Sequence, residues 1–326
     1  MKHYNNIIKT VVLSGLLYSA SSIVSPAPAH AQISLRSFTI SPATIEQAKD
    51  PGSIAEGTLK IINDTDTPLT FDITTNDFFV DNTQGTPNLL PNSTLAKNFS
   101  AASWVGIVPD VVTVGPHSSQ PLNYYIQIPK DARPGGHYAA VVFTPRANIN
   151  VQGTGTSVQT KIGTLIYLGV NGPISEDATV TQFSAPGFSE YGPVKVMTQI
   201  KNMGDLHIKP QGTITITDML GRTIATQSLK ENNIFPTAAR DYVNSFGRQW
   251  MLGRFKAVFV ASYGQKNNLP LTATIYFWVF PWKVAVVIVL IIVAAVLGMM
   301  LWRKKRKGPH HTESSRAGHD DLMTEK

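Results

Sequence analysis

The segment that most constrains this chain is Val284–Trp302, nineteen residues without a charged side chain. At about 1.5 Å of helical rise per residue it just crosses a hydrocarbon core roughly 30 Å thick. Phe277, Trp278, Phe280 and Trp282 precede it and Trp302 closes it, where amphipathic aromatics sit at headgroup level. Arg303, Lys304, Lys305, Arg306 and Lys307 follow at once. Such a cluster of cations stays on the cytoplasmic side, so the expectation is a single-pass membrane protein with residues 32–282 outside. The other end of the chain agrees. A basic head with Lys2 and Lys9, an apolar run from Thr10 to Ala20 and the small-residue end Ala29-His30-Ala31 make the three parts of a secretory signal peptide. Cleavage is expected before Gln32.

Charge placement excludes one large class of function. The net charge is +7, but the tail from Arg303, the first 31 residues and Lys283 hold nearly all of it. Residues 32–282 keep a net charge of only +1. Nucleic-acid binding would need Lys and Arg clustered on the folded part. The chain has no Cys, which excludes disulfides, thiolate metal sites and cysteine nucleophiles.

The exported part reads as strands. Between Gln32 and Phe280 no long stretch shows helical spacing of apolar residues; short β-branched or alternating runs are separated by Gly, Pro, Asn and Asp, the all-β pattern. Strands are expected at Thr58–Ile62, Leu69–Thr74, Val111–Val114, Leu122–Ile128, Tyr138–Phe143 and Thr160–Val170. Further strands are expected at Val194–Lys201, Gly212–Thr217, Thr223–Ser228, Phe255–Ala261 and Leu271–Phe280. Two echoes occur in the same order. Ile-x-Asn-x-x-Asp appears at Ile61–Asp66 and Ile200–Asp205, and Gly-x-aromatic-x-Ala-Val at Gly136–Val141 and Gly253–Val258. We read two tandem immunoglobulin-like β-sandwiches followed by a single transmembrane helix. Asn and Asp suit tight turns, and an aromatic after a Gly turn fits the corner tyrosine of such sandwiches. The expected units are a signal peptide (1–31), a first sandwich (32–172), a second sandwich (173–282), the transmembrane helix (283–302) and a basic cytoplasmic tail (303–326).

The first copy carries a longer interval between its echoes, and the extra residues fall in Asn76–Ser103, rich in Asn, Thr, Pro and Gly. Loops on a rigid sandwich concentrate binding residues. The ligand-binding candidates here are Phe78, Phe79, Asn82, Asn92 and Phe99, with Trp104 at the exit. The alternative is that these aromatics fold back as core. At the membrane interface the candidates are Trp278, Trp282, Trp302 and the cations Arg303, Lys304, Lys305, Arg306 and Lys307.

Catalytic and metal motifs are missing: no Gly-rich phosphate loop, no His-Glu-x-x-His and no Gly-x-Ser-x-Gly elbow. His117 and His137 are read as loop or strand-edge residues, and Asp64, Asp66 and Asp205 as turn caps, because the EF-hand spacing is lacking. His310, His311 and His319 sit in the polar tail. No metal, cofactor or catalytic residue is assigned. Asn63, Asn92 and Asn98 open glycosylation-type triplets, which matter only in a source that glycosylates. Leu269–Ala273 looks like a sortase signal, but its alternation with the following residues reads as a buried last strand, a poor transpeptidase substrate.

Two runs carry a family resemblance. Val112-Thr113-Val114-Gly115-Pro116-His117-Ser118-Ser119-Gln120 and Ile128-Pro129-Lys130-Asp131-Ala132-Arg133-Pro134-Gly135-Gly136-His137-Tyr138 resemble the first domain of the WxL-interacting surface proteins of bacteria. Further on, Ile200–Asp205 and Lys209–Gly212 resemble the second domain. The resemblance implies a signal peptide, two immunoglobulin-like domains, a transmembrane helix and a basic tail. It also implies peptidoglycan binding by the first domain and a host or partner surface for the second. Trp250-Met251-Leu252 spells W-x-L, but that tripeptide belongs to the partner proteins and is read as coincidence.

The leading expectation is a membrane-anchored cell-surface binding or scaffold protein whose first domain engages cell-wall glycan and whose second engages a protein partner. Sugar faces stack on exposed aromatics, and sugar hydroxyls bond to Asn, Thr and Gln. The rival is a non-catalytic structural subunit of an envelope complex without glycan binding, pairing through edge strands. A signalling receptor is a weaker reading because the tail has no domain. An enzyme is the poorest fit.

Overall fold

The computed structural model describes residues 38–90, 98–146 and 161–306. The expected signal peptide, Asn92 and the tail from Lys307 lie outside the described residues.

The chain alternates because its strands are half-buried: along β3 (Ile54–Asn63) and, from Leu122, along β8 (Ser118–Gln127) every second residue turns inward, as a period of two requires. These two strands are the middle of a four-stranded sheet with β1 (Phe38–Ser41) and β6 (Val105–Val108) at its edges. The facing sheet runs β2 (Thr44–Lys49), β10 (Ile162–Val170), β9 (Gly135–Pro145), β4 (Leu69–Phe79) and β5 (Asn88–Leu90), with β7 (Val111–Val114) also on β4. The chain steps from one sheet to the other between β1 and β2, so the two layers are tied at the start. Leu59, Ile61, Phe71, Ile126, Phe143, Ile166 and Leu168 fill the space between them.

The second pair of sheets repeats this layering. One sheet has β11 (Ala178–Ser184), β13 (Val194–Asn202) and β16 (Ala239–Phe246). The other runs β12 (Phe188–Ser189), β18 (Leu269–Val279), β17 (Gly253–Tyr263), β14 (Gln211–Thr217) and β15 (Thr223–Ser228). Val196, Ile200, Ile214, Ile216, Phe246, Phe259 and Phe277 lie between them. The molecule is thus mostly β-sheet, with one C-terminal apolar helix, α1 (Trp282–Arg306). That helix is long and apolar enough to cross a membrane, and no part of its apolar stretch is buried against the sheets. Two residues, Phe280 and Pro281, separate it from the last β-strand residue, Val279, and it runs on through Arg303 into Arg306.

Each expected strand falls within or overlaps an observed one, and Val111–Val114 and Thr223–Ser228 coincide with β7 and β15. Seven strands carried no signal strong enough to be expected: β1, β2, β5, β6, β11, β12 and β16. They are short, or, like β2 (TIEQAK) and β16 (ARDYVNSF), polar in sequence. Leu269–Ala273 forms the start of β18 and is paired residue for residue with β17, from Leu269 against Tyr263 to Ala273 against Phe259.

The first echo has one physical cause. Asn63 and Asn202 are both fully buried. Asn63 Nδ2 donates to the carbonyls of Thr67 (2.8 Å), Val114 (3.1 Å) and Gly115 (3.0 Å), and its Oδ1 accepts from the Thr65 amide. Asn202 Nδ2 donates to Leu206 (2.8 Å) and Ile234 (2.9 Å), and its Oδ1 accepts from the Gly204 amide. In each half the side chain closes the turn after a central strand and ties it to a distant segment.

The second echo holds with a one-residue correction. Gly135, not Gly136, matches Gly253: both start a strand, at φ of 117° and 114°, and both pair with the last residue of the next strand, Val170 and Val279. The inward residues are then His137, Ala139, Val141 and Phe143 against Phe255, Ala257, Phe259 and Ala261. Tyr138 was expected as the corner tyrosine, but it lies on the opposite face of the sheet, since a shift of one residue reverses every side chain. Its hydroxyl meets His207 of the second half instead of its own backbone.

Candidate functional site

Two of the expected ligand-loop aromatics, Phe78 and Phe99, are drawn off the free surface. Phe78 is completely buried and touches the rings of Tyr138, Tyr167 and Phe235, with centroids 5.5–5.9 Å apart. Phe99 packs on the edge of that cluster with the Arg133 guanidinium over its ring at 5.0 Å. Asn82 closes a local turn, donating to the Thr86 carbonyl and accepting its amide. Phe79 is half-buried at the end of β4. A fully buried ring offers no face to a ligand, so Phe78 is a junction residue and not a contact residue.

That junction joins the two halves. Tyr138, Tyr167 and Phe78 from the first half meet Phe235 and Ala238 from the second. Around this apolar centre, Arg133 pairs with Asp205 at 2.8 Å, the Gly136 amide donates to the Asp205 carbonyl, and the Asp241 amide donates to Thr83. The backbone amide of His207 donates to Tyr138 Oη at 2.9 Å, and that hydroxyl lies 3.2 Å from His207 Nδ1. His207 Nε2 sits 3.1 Å from Glu46. This network assigns the neutral ring with its proton on Nε2. Burial pushes the His207 pKa down, against the pull of Glu46, and the same burial drives the Tyr138 hydroxyl well above its ordinary range.

Among the described loop candidates, Trp104 lines an open groove, and Asp77 puts it there. Asp77 is buried at the end of β4 and accepts from Ser100 Oγ (2.7 Å) and from the amides of Ala101 (3.0 Å) and Ala102 (2.8 Å). This holds the single 3-10 turn Ala102–Trp104. The Trp104 ring then packs on the buried His137 ring, with centroids 4.4 Å apart. His137 lies between two carbonyls, Ser100 (3.0 Å) and Arg133 (2.8 Å), and burial lowers its pKa. The expectation of a loop or strand-edge histidine is corrected: His137 points inward from β9. His117 does sit in a turn and pairs with Asp66 at 2.9 Å.

Beyond Trp104 the outer face of the four-stranded sheet opens. On β8, Asn123, Tyr125 and Gln127 point outward, opposite Thr58, Glu56 and Ile54 of β3. Tyr125 is 45% exposed. Its ring lies across Gly106 on the edge strand β6, so close that a Cβ there would meet ring carbon at 2.2 Å. Two shallow grooves flank it. One, of about 510 Å³, is lined by Trp104, Gly106, Gln127 and Lys130 among others. The other, of about 620 Å³, is lined by Glu56, Thr58, Val108 and Asn123. A flat aromatic between polar side chains can stack on an apolar ring face and bond to the hydroxyls around it. Sequence reading found this strand but not its outer stripe; the signal was the Asn-x-Tyr-x-Gln alternation within Leu122–Ile128.

Among the described residues, no three His, Cys, Asp or Glu side chains come close enough to hold a metal. The membrane-interface candidates Trp278 and Trp282 are half-exposed at the join between sheet and helix. Trp302 and Arg303 lie near the far end of α1, Lys304–Arg306 complete it, and Lys307 is outside the described residues.

No protein-family profile matches the chain, and no curated protein sequence matches it. Among solved structures, the class 5 fimbriae chaperone CfaA is similar at 12% identity, covering 73% of this chain and 98% of its own, with a TM-score of 0.40. The CupB2 chaperone of Pseudomonas aeruginosa is 9% identical over 74% of this chain and 100% of its own, TM-score 0.35. A complex of the Salmonella enterica SafA pilin with the SafB chaperone gives 11% identity, 74% and 97% coverage and a TM-score of 0.36. At these identities and scores none of them speaks for the function of this chain.

Proposed function

We propose that this protein is a membrane-anchored, non-enzymatic binding protein that displays two immunoglobulin-like sandwiches outside the cell membrane. In this reading α1 spans the bilayer with its basic end in the cytoplasm, and the first sandwich engages cell-wall glycan, peptidoglycan, on the face around Tyr125. The observation that carries it is the Tyr125 ring laid over Gly106 between two grooves edged by Glu56, Asn123, Gln127 and Trp104. The sequence resemblance to the WxL-interacting proteins supports the same assignment, and the near-neutral charge of residues 32–282 suits an uncharged sugar ligand better than a polyanion.

The test is co-sedimentation of the full-length protein, in mild detergent, with purified peptidoglycan. Tyr125→Ala should weaken binding about tenfold, roughly 1.4 kcal/mol. It should lower unfolding stability by only about 1 kcal/mol, the cross-strand packing of a half-buried ring on Gly106. Phe79→Ala, outside the grooves, should bind like the parent. Absence of binding by the parent protein would sink the glycan assignment. The structural-subunit reading would then lead, with the open edge strand β15 of the second sandwich as the pairing surface.

A further inference from the structure

The end of the second sandwich from which α1 leaves carries apolar side chains that the junction, the core and the Tyr125 face do not use. Two loops form its tip. In the turn after β14, Met219 is 65% and Leu220 72% exposed; in the loop before β17, Trp250 is 65% and Leu252 68% exposed. Trp250-Met251-Leu252 is built as an anchor with two outward blades. Met251 is buried in the second core and packs against Gly247, while the residues on either side of it point away. Burial of the middle residue fixes the loop, so the exposure of its neighbours is a set geometry.

These side chains form one surface that is continuous with the helix. The Met219 side chain lies against Gly253, next to Leu252, where a Cβ would come within 2.6 Å of it. Trp250 meets Tyr191 edge-on at 5.5 Å. Glu190, beside Tyr191, pairs with Lys283 of α1 at 2.8 Å. Phe188, Trp278, Phe280 and Trp282 are 41–53% exposed at the same end. The sheet pairing continues up to the helix, since the amides of Trp278 and Phe280 donate to Gly187 and Ser189. Only Phe280 and Pro281 separate β18 from α1, and two residues reach at most about 7 Å. A helix in a bilayer therefore brings this end of the sandwich to the headgroups. Arg222, Arg248, Arg254 and Lys283 lie at this end; Arg222 and Lys283 are paired with its carboxylates, Asp218 and Glu190, so the net positive charge of the rim comes from Arg248 and Arg254. An apolar, aromatic tip with a cationic rim matches the interface of an anionic bilayer.

We infer that the second sandwich docks onto the outer surface of the lipid bilayer, with Met219, Leu220, Trp250 and Leu252 entering the headgroup region beside α1. The contact converts a two-residue tether into a rigid mount. The strands of β17 and β18 run from this tip to the junction with the first sandwich, so docking holds the Tyr125 face at a fixed distance from the membrane.

The inference rests on α1 spanning the bilayer, and one experiment separates the two. The chain has no Cys, so a single nitroxide can be placed on Leu220→Cys, Trp250→Cys, Lys266→Cys at the junction end, or Leu290→Cys in mid-helix. Each full-length variant is reconstituted into vesicles of phosphatidylglycerol and phosphatidylcholine. Collision with oxygen is then compared with collision with a water-soluble nickel chelate. Labels at 220 and 250 should show an oxygen-to-nickel ratio several-fold above that at 266, approaching that at 290. With Leu220→Asp and Leu252→Asp added, the ratio at 250 should fall to the level of 266. A lipid reading at 290 with water readings at 220 and 250 would overturn the docking and leave the span intact. A water reading at 290 would remove both. Labels at 220 and 250 shielded from both reagents would place a protein contact there and also overturn the docking.

Discussion

β9 and β17 are the same strand in two settings. Both begin at a glycine of positive φ, both pair antiparallel with the strand that follows, and both send alternate residues into their own sandwich core. Their other faces differ. β17 shows Arg254, Lys256, Val258 and Val260 to its surroundings, and its burial alternates along its length. β9 is buried on both faces from Gly135 to Phe143, because Tyr138, Ala140 and Val142 form the floor of the aromatic junction. One half thus keeps the outer face of this sheet open while the other uses it to hold its neighbour. A sandwich gives up a solvated sheet face to gain a fixed partner, and Thr83 and Phe99, between β4 and β6, sit at the edge of the join.

The most severe way to break this difference is Phe78→Ala. It removes a buried ring that bridges Tyr138, Tyr167 and Phe235, and should cost about 3–5 kcal/mol. Because the loss falls at the join, the protein should unfold in two steps by near-UV and far-UV circular dichroism in urea. A single, merely weakened transition would show that the halves do not depend on this cluster. The matched asparagines sharpen the comparison at a smaller scale. Asn63→Ala and Asn202→Ala each strand buried carbonyls and should cost about 2–3 kcal/mol. The Asn63 change should be the larger, since its amide reaches three carbonyls and that of Asn202 two. Equal urea midpoints for the two would mean that the Gly115 contact adds nothing.

The open face of β17 was readable from the sequence and the buried outer face of β9 was not. Arg254, Lys256 and the alternating pattern of Gly253–Tyr263 declare a one-sided strand. Tyr138–Phe143 reads as an unbroken apolar run, which carries no phase; matching aromatic to aromatic then slips the register by one and turns Tyr138 the wrong way. The loop aromatics failed for a related reason. Composition marks Asn76–Ser103 as a loop, yet Phe78 still belongs to β4, and only the position of the second sandwich decides what covers it. Trp104 was found because it follows the loop, but the groove it lines depends on Tyr125 and Gly106 meeting across β8 and β6. Cross-strand pairs of that kind are set by register and not by spacing along the chain.

The two buried histidines offer the finest contrast, one inside the first sandwich and one at the join. Burial lowers the pKa of both His137 and His207 from 6.5. A histidine of depressed pKa binds fewer protons folded than unfolded, so the stabilisation is complete above about pH 6.5 and is lost as pH falls toward the folded value. Urea midpoints should therefore decline on acidification from about pH 7.5 to about pH 5, and His207→Gln should flatten the part of that decline owed to the join. Glu46 pulls the His207 pKa up and the Lys209 charge pulls it down; at His137 the Asp77 charge pulls up and the Arg133 charge pulls down. His137 also faces two carbonyl oxygens, and only the imidazolium donates to both. Midpoints that rose on acidification, and still rose in His207→Gln, would show that those two hydrogen bonds outweigh burial at His137 and that the inner histidine is held charged.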